Sequence, residues 1–241
     1  MVTATVTRDS VKSAKRAGGR EHAFFFGLAF LVLTAVLAGF ARTYFLAGMF
    51  RAKLPSLIVH VHGVVFTLWI ALLLVQVALL ASRRPRWHMR LGVLGMFLAP
   101  LMVITGFATL ISGIKRGFAP PPILQIITSI DTLILCCFAG LVSWAFLARR
   151  DSPTHKRLIM FATFLIIAPA IARWPITTPS RFWVFMYCFP ALLVAYDLWT
   201  RRSIHRATVC GLVLVVGLQL ANPPLARSAF LNQIVARLQK P

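Results

Sequence analysis

Apolar residues in this chain gather into long unbroken runs instead of alternating with polar ones. The runs cover 23–42, 56–81, 89–114, 122–148, 157–173, 181–200 and 206–222, and short arginine-rich segments separate them. A helix rises about 1.5 Å per residue, so about 20 apolar residues cross the ~30 Å hydrocarbon layer of a bilayer. Lipid leaves free backbone groups unsatisfied, which selects helices, and the alternation expected of a membrane β-barrel strand is absent. The pattern therefore predicts an all-α polytopic transmembrane bundle of about seven spans. A basic arm (1–22) precedes the bundle (23–225), and a tail (226–241) follows it.

Proline punctuates the runs. Pro55-Ser56 opens the second, Pro120, Pro121 and Pro122 break the chain before the fourth, and Asn222-Pro223-Pro224 closes the last. Pro100, Pro169 and Pro190 fall inside runs and predict kinks. In the tail, Phe230, Leu231, Ile234, Val235 and Leu238 form a stripe at helical spacing, opposed by Arg227, Gln233, Arg237 and Lys240. That segment is too short and polar to span and reads as a helix lying on the surface. The run from Ala23 has no clear cleavage site after it and reads as a retained span.

Composition agrees: of 241 residues 59% are hydrophobic, and the mean hydropathy is +0.81. The net charge of +21 would suggest nucleic acid in a soluble protein. Here the cations sit in loops between spans, so membrane topology explains them and no nucleic-acid partner is expected. The expected partners are membrane lipids, with anionic head groups on the cytoplasmic side. Lys and Arg number five in the N-terminal arm and four, four and three after the second, fourth and sixth runs, 16 in all. The other side carries three, two, two and three, 10 in all. The positive-inside rule then puts the N-terminus in the cytoplasm and the C-terminus outside.

Three junctions echo one another. Arg83-Arg84 precedes His88-Met89-Arg90-Leu91, Arg149-Arg150 precedes His155-Lys156-Arg157-Leu158, and Arg201-Arg202 precedes His205-Arg206. Repeated parallel hairpins, or convergence on basic loops, would give this pattern. Repeated hairpins would set His88 and His155 at one depth on two helices, which is the arrangement of two axial ligands of a haem iron, with nearby arginines for the propionates. Interfacial anchoring is the simpler alternative for both. His22 and His205 share that side.

A second candidate site lies toward the outer side. Asp131 is the one acid well inside a run, and an intramembrane charge is costly. His60, His62 and Arg173 fall in the same half of their spans, so His60 or His62 with Asp131 and Arg173 could form a proton relay, a metal site or a head-group pocket. A structural hydrogen bond between helices is the alternative. Asp197 reads as a surface partner of Arg201 one turn on. Cys136, Cys137, Cys188 and Cys210 read as packing residues. No lysine lies mid-span, which excludes a retinal Schiff base. No intramembrane carboxylate pair, phosphate-binding glycine loop, H-E-x-x-H or G-x-S-x-G motif is present.

The stretch His60-Val61-His62-Gly63, then Trp69, Gln76 and His88-Met89-Arg90-Leu91-Gly92, resembles a family of uncharacterised bacterial inner-membrane proteins. Tyr196-Asp197-Leu198 with Arg201-Arg202 and His205 extends the resemblance over most of the chain after the first span. It implies a membrane class and a bacterial inner-membrane location, with no activity attached. The His-x-x-Leu-Gly start at His88 is also similar to motifs of b-type membrane cytochromes and haem-handling proteins. That similarity implies haem b as a cofactor, although this chain has no second histidine deep in a helix. Three functions stay open: a haem-associated or redox protein, a proton-coupled transport or relay protein, and a non-catalytic scaffold or assembly factor.

Overall fold

A computed structural model describes residues 8–47, 49 and 56–240, with side chains from residue 18 onward. Residues 1–7 of the basic arm, Lys53 and Pro55 lie outside the described residues. The described chain is helical: α1 Arg8–Phe40, continued by a wide turn at Ala41–Phe45, then α2 Leu57–Ala81, α3 Pro85–Lys115 and α4 Pro121–Leu147. After these come α5 Ser152–Ile166, α6 Ala168–Ile171, α7 Pro179–Arg201, α8 Arg206–Ala226 and α9 Ala229–Gln239. Residues 8–22 thus continue the helix of the first span.

Six of these helices, within α1, α2, α3, α4, α7 and α8, are long and apolar enough to cross a membrane. Their outward faces carry Phe97, Ile104, Val213 and Leu220, each more than 60% exposed. Mid-helix apolar exposure of this kind belongs against lipid. The molecule is a multi-pass membrane protein by this pattern.

The predicted span 157–173 is the exception in form. It is broken into α5 and α6 at Ile167, because Pro169 lacks a donor and its ring crowds the carbonyl four residues back. Together the two pieces still run the depth of the bundle beside α1. Lys156 forms an ion pair with Glu21 at one end, and at the other Trp174 donates through Nε1 to the Ala35 carbonyl at 3.0 Å. From residue 157 to 171 every side chain is buried except the half-buried Ile159 and Pro169. α5 is the axis around which α1, α4, α7 and α8 pack.

Glycine sets the closest approaches. A Cβ at Gly39 would fall 2.3 Å from the Ala170 carbonyl oxygen, so α1 and α6 touch backbone to backbone. A Cβ at Gly211 would lie 2.4 Å from the Phe161 ring, which therefore occupies the notch α8 leaves. Small residues at helix crossings are the usual means of tight packing in lipid, where no hydrophobic force draws helices together.

Two boundaries differ from expectation. Asn222-Pro223-Pro224 does not end the last span, since α8 continues to Ala226. The prolines cost only their own donors in this final turn, and Ser129 Oγ supplies a hydrogen bond to the Asn222 carbonyl at 3.2 Å. The tail forms α9 as expected, capped by Ser228 and docked through Leu231 and Val235 on Leu110, Ile114 and Leu124 of α3 and α4. Phe230, 70% exposed, points away from that contact.

Candidate functional site

Three helix junctions, α2–α3, α4–α5 and α7–α8, meet the start of α1 on one face of the bundle, here termed the basic face. The echo between them is partly structural. His88 and His155 are each the fourth residue of a helix with proline in its first turn, Pro85 in α3 and Pro153 in α5. His205 differs: it caps α8, its Nδ1 accepting from the Ala207 N–H at 3.1 Å. Burial and the charges of Arg157 and Arg201 hold its imidazole below the usual histidine range. Asp151 caps α5, and hydrogen bonds from the Thr154 hydroxyl and N–H hold its carboxyl below the usual carboxylate range.

His88 and His155 lie within electrostatic range of each other, and among the described contacts no hydrogen bond or ring contact joins them. His155 Nδ1 lies 2.7 Å from the Ala145 carbonyl oxygen, which assigns the Nδ1–H tautomer and leaves Nε2 with its lone pair. His88 faces the Gln76 backbone, and its Nδ1 is buried with no hydrogen-bond partner. The Gln76 side-chain amide is likewise buried and unpartnered at both Nε2 and Oε1. An orphaned imidazole and an orphaned amide in one helix interface are unusual, since buried polar groups are nearly always paired.

The outer residues separate into three sets. Asp131 and Arg173 are electrostatic neighbours. Arg173 also donates to the Pro169 carbonyl at 2.6 Å and lies 4.8 Å from the Phe40 ring centroid. His60 turns to Tyr44, with 2.8 Å between Nδ1 and the phenol oxygen. His62 packs against Phe66 with ring centroids 4.0 Å apart and planes tilted by 39°, faces the Thr105 backbone and has a buried, unpartnered Nδ1. Asp131 and Arg173 thus act on each other through charge without a hydrogen bond or ion pair among the described contacts, and both histidines turn toward other partners.

One polar centre escaped the sequence reading. Asp197 is not a surface partner of Arg201: it is fully buried and forms an ion pair with Arg157, itself only 2% exposed. Thr208 Oγ1 donates to Asp197 Oδ2 at 2.6 Å, the His205 N–H donates to the same oxygen at 3.0 Å, and Arg157 Nη1 donates to the Pro153 carbonyl at 2.9 Å. The pair fastens α5 to α7 and to the start of α8. The signal lay in α5, which is apolar on every side after Arg157 and so had to be enclosed, taking its arginine with it.

Among the described residues no three of His, Cys, Asp and Glu gather as metal ligands, and all four cysteines are free. Two cavities open on the basic face. One, of about 390 Å³, lies among α1, α5 and α7. The other, of about 420 Å³, lies among α4, α5 and α8. Neither is lined by His88 or His155. The chain matches no family model, no curated protein and no solved structure.

Proposed function

We propose that this is a bacterial inner-membrane protein with its basic face in the cytoplasm, and that it holds a haem iron between His88 and His155 for electron transfer or haem handling. What supports this reading is that both histidines are the fourth residues of helices starting on the same face, within electrostatic range of each other, and that His155 hydrogen-bonds through Nδ1 and not Nε2. A histidine whose Nδ1–H is tied to a carbonyl is oriented as metal-ligating histidines commonly are. The orphaned His88 Nδ1 and Gln76 amide are polar groups for which a bound group would supply a reason.

The donor set also favours haem over a bare ion. A structural zinc site needs four protein ligands and a catalytic one three, whereas the porphyrin leaves only two axial positions for the protein. Among the described residues no acid pairs with Arg83, Arg84, Arg86, Arg90, Arg149 or Arg150, which leaves guanidinium groups for the propionates. The haem supplies the redox chemistry; the chain's part is to fix two imidazoles and neutralise carboxylates.

Protein produced with a haem supply should show a haem absorption band that His88→Ala and His155→Ala each abolish. Absence of any band from wild-type protein, or a band unchanged in both variants, overturns the assignment. A relay reading rests on Asp131 beside Arg173. It is favoured only if Asp131→Asn abolishes a proton flux in vesicles while the absorption of both histidine variants stays at the wild-type level. With neither effect, a scaffold role is what remains.

A further inference from the structure

The 390 Å³ cavity lies apart from the histidine pair and has a chemistry of its own. Its wall is made by Arg20 and Glu21 of α1, Lys156 and Arg157 of α5, and Tyr196, Trp199, Thr200 and Arg201 of α7, with Pro153. Four cations therefore face one carboxylate. Two of them are internally matched, Lys156 by Glu21 and Arg157 by the buried Asp197. Arg20 and Arg201 have no carboxylate partner among the described residues. Two guanidinium groups without a carboxylate partner lining one concavity are a donor set suited to tetrahedral oxyanions.

The surroundings narrow the ligand. Arg20 stands 5.9 Å from the Trp199 ring centroid, and Trp199 is 64% exposed on the outside of α7. Phe24 stacks on Tyr196 at 4.0 Å, and Lys156 Nζ is 5.0 Å from the Phe25 ring centroid. The cavity is thus cationic within and aromatic along its side wall, at the level where the helices leave the apolar layer. Aromatic rings settle at that level, and basic pockets there attract phosphorylated head groups. The buried Arg157–Asp197 pair fixes the floor and cannot move to neutralise a rim charge.

We infer that this cavity binds a phosphate group through Arg20 and Arg201, with Lys156, which also pairs with Glu21, as a further donor. An anionic phospholipid head group and a soluble phosphate share that chemistry. The exposed Trp199 beside the rim favours the lipid. The inference does not rest on haem: Arg20 and Arg201 carry it, and neither His88 nor His155 lines the cavity.

The test uses the full chain in detergent, titrated in separate arms with brominated phosphatidylglycerol, brominated phosphatidylcholine and inorganic phosphate. Quenching of Trp199 fluorescence, taken as the difference from Trp199→Phe, reads the lipid arms. Displacement of brominated phosphatidylglycerol reads the phosphate arm. Phosphatidylglycerol should quench and phosphatidylcholine should not. The pair Arg20→Gln/Arg201→Gln should weaken binding by about 100-fold, about tenfold for each lost charge-assisted contact. The control pair Arg202→Gln/Arg206→Gln on the same face, outside this cavity, should leave it unchanged, and equal melting temperatures would show that all variants fold. Displacement by millimolar phosphate with no preference for the anionic lipid assigns the site to soluble phosphate. Equal affinity of wild type and Arg20→Gln/Arg201→Gln for both probes overturns the proposal, as does an equal loss in the control pair.

Discussion

Arg157 and Asp197 carry opposite charges in a part of the molecule that water does not reach, and the energetics of such a pair are asymmetric. Removing one partner leaves the other desolvated and unmatched, which costs about 3–5 kcal/mol, whereas the intact pair adds little net stability over an apolar replacement. Arg157→Met should therefore lower unfolding stability by about that amount, read as a drop in melting temperature in detergent. The second change Asp197→Leu in the same chain should restore part of it. It cannot restore all, because Thr208 and the His205 N–H also donate to Asp197. A melting temperature unchanged by Arg157→Met would mean that the pair is solvated. This residue scale is where the sequence was least legible. Spacing on one helix offered Arg201 to Asp197 one turn away, and nothing local indicated a partner 40 residues earlier in the chain. The repeated junction placed His88 and His155 each at a helix start, and both are the fourth residue of their helix. The separation of His60 and His62 from Asp131 was not legible, because shared depth in a bundle does not imply a shared face.

At the scale of elements, the helices were legible because each needs a long apolar run, and the runs are visible without any tertiary information. The ends were less so. α3 starts four residues before its predicted span, at Pro85, where proline suits a first turn. α8 outlasts two prolines because its last turn has little hydrogen bonding left to lose. The close crossings were not legible, since a glycine in an apolar run gives no sign of which neighbour it admits. At Gly39 that neighbour is the backbone of α6, which cannot rotate away. Gly39→Val should force α1 and α6 apart and destabilise the bundle by about 1–3 kcal/mol, the usual cost of overpacking. Gly140, which has open space around its Cβ position, is the control: Gly140→Val should leave the melting temperature close to wild type. Equal effects at the two glycines would refute the α1–α6 contact.

At the scale of the whole molecule, the proposed orientation rests on charge. The three arginine-rich junctions and the start of α1 share one face, and the α5–α6 segment runs beside α1 although it is not among the six helices long enough to cross a membrane. An impermeant thiol reagent applied to intact cells should label Arg181→Cys from outside and should reach Arg86→Cys and Arg202→Cys only after permeabilisation. Labelling of Arg86→Cys in intact cells would reverse the topology.

In the proposed orientation His88 and His155 lie at the cytoplasmic edge of two hairpins, and the account stands on whether one iron joins them. Electron paramagnetic resonance of the haem-loaded protein is the most direct measurement. Two imidazoles across one iron give a six-coordinate low-spin ferric signal. The account expects that signal in wild-type protein, and its conversion to a high-spin signal or its loss in both His88→Ala and His155→Ala. A low-spin signal that persists unchanged in either variant would contradict it, since the iron would then have its ligands elsewhere.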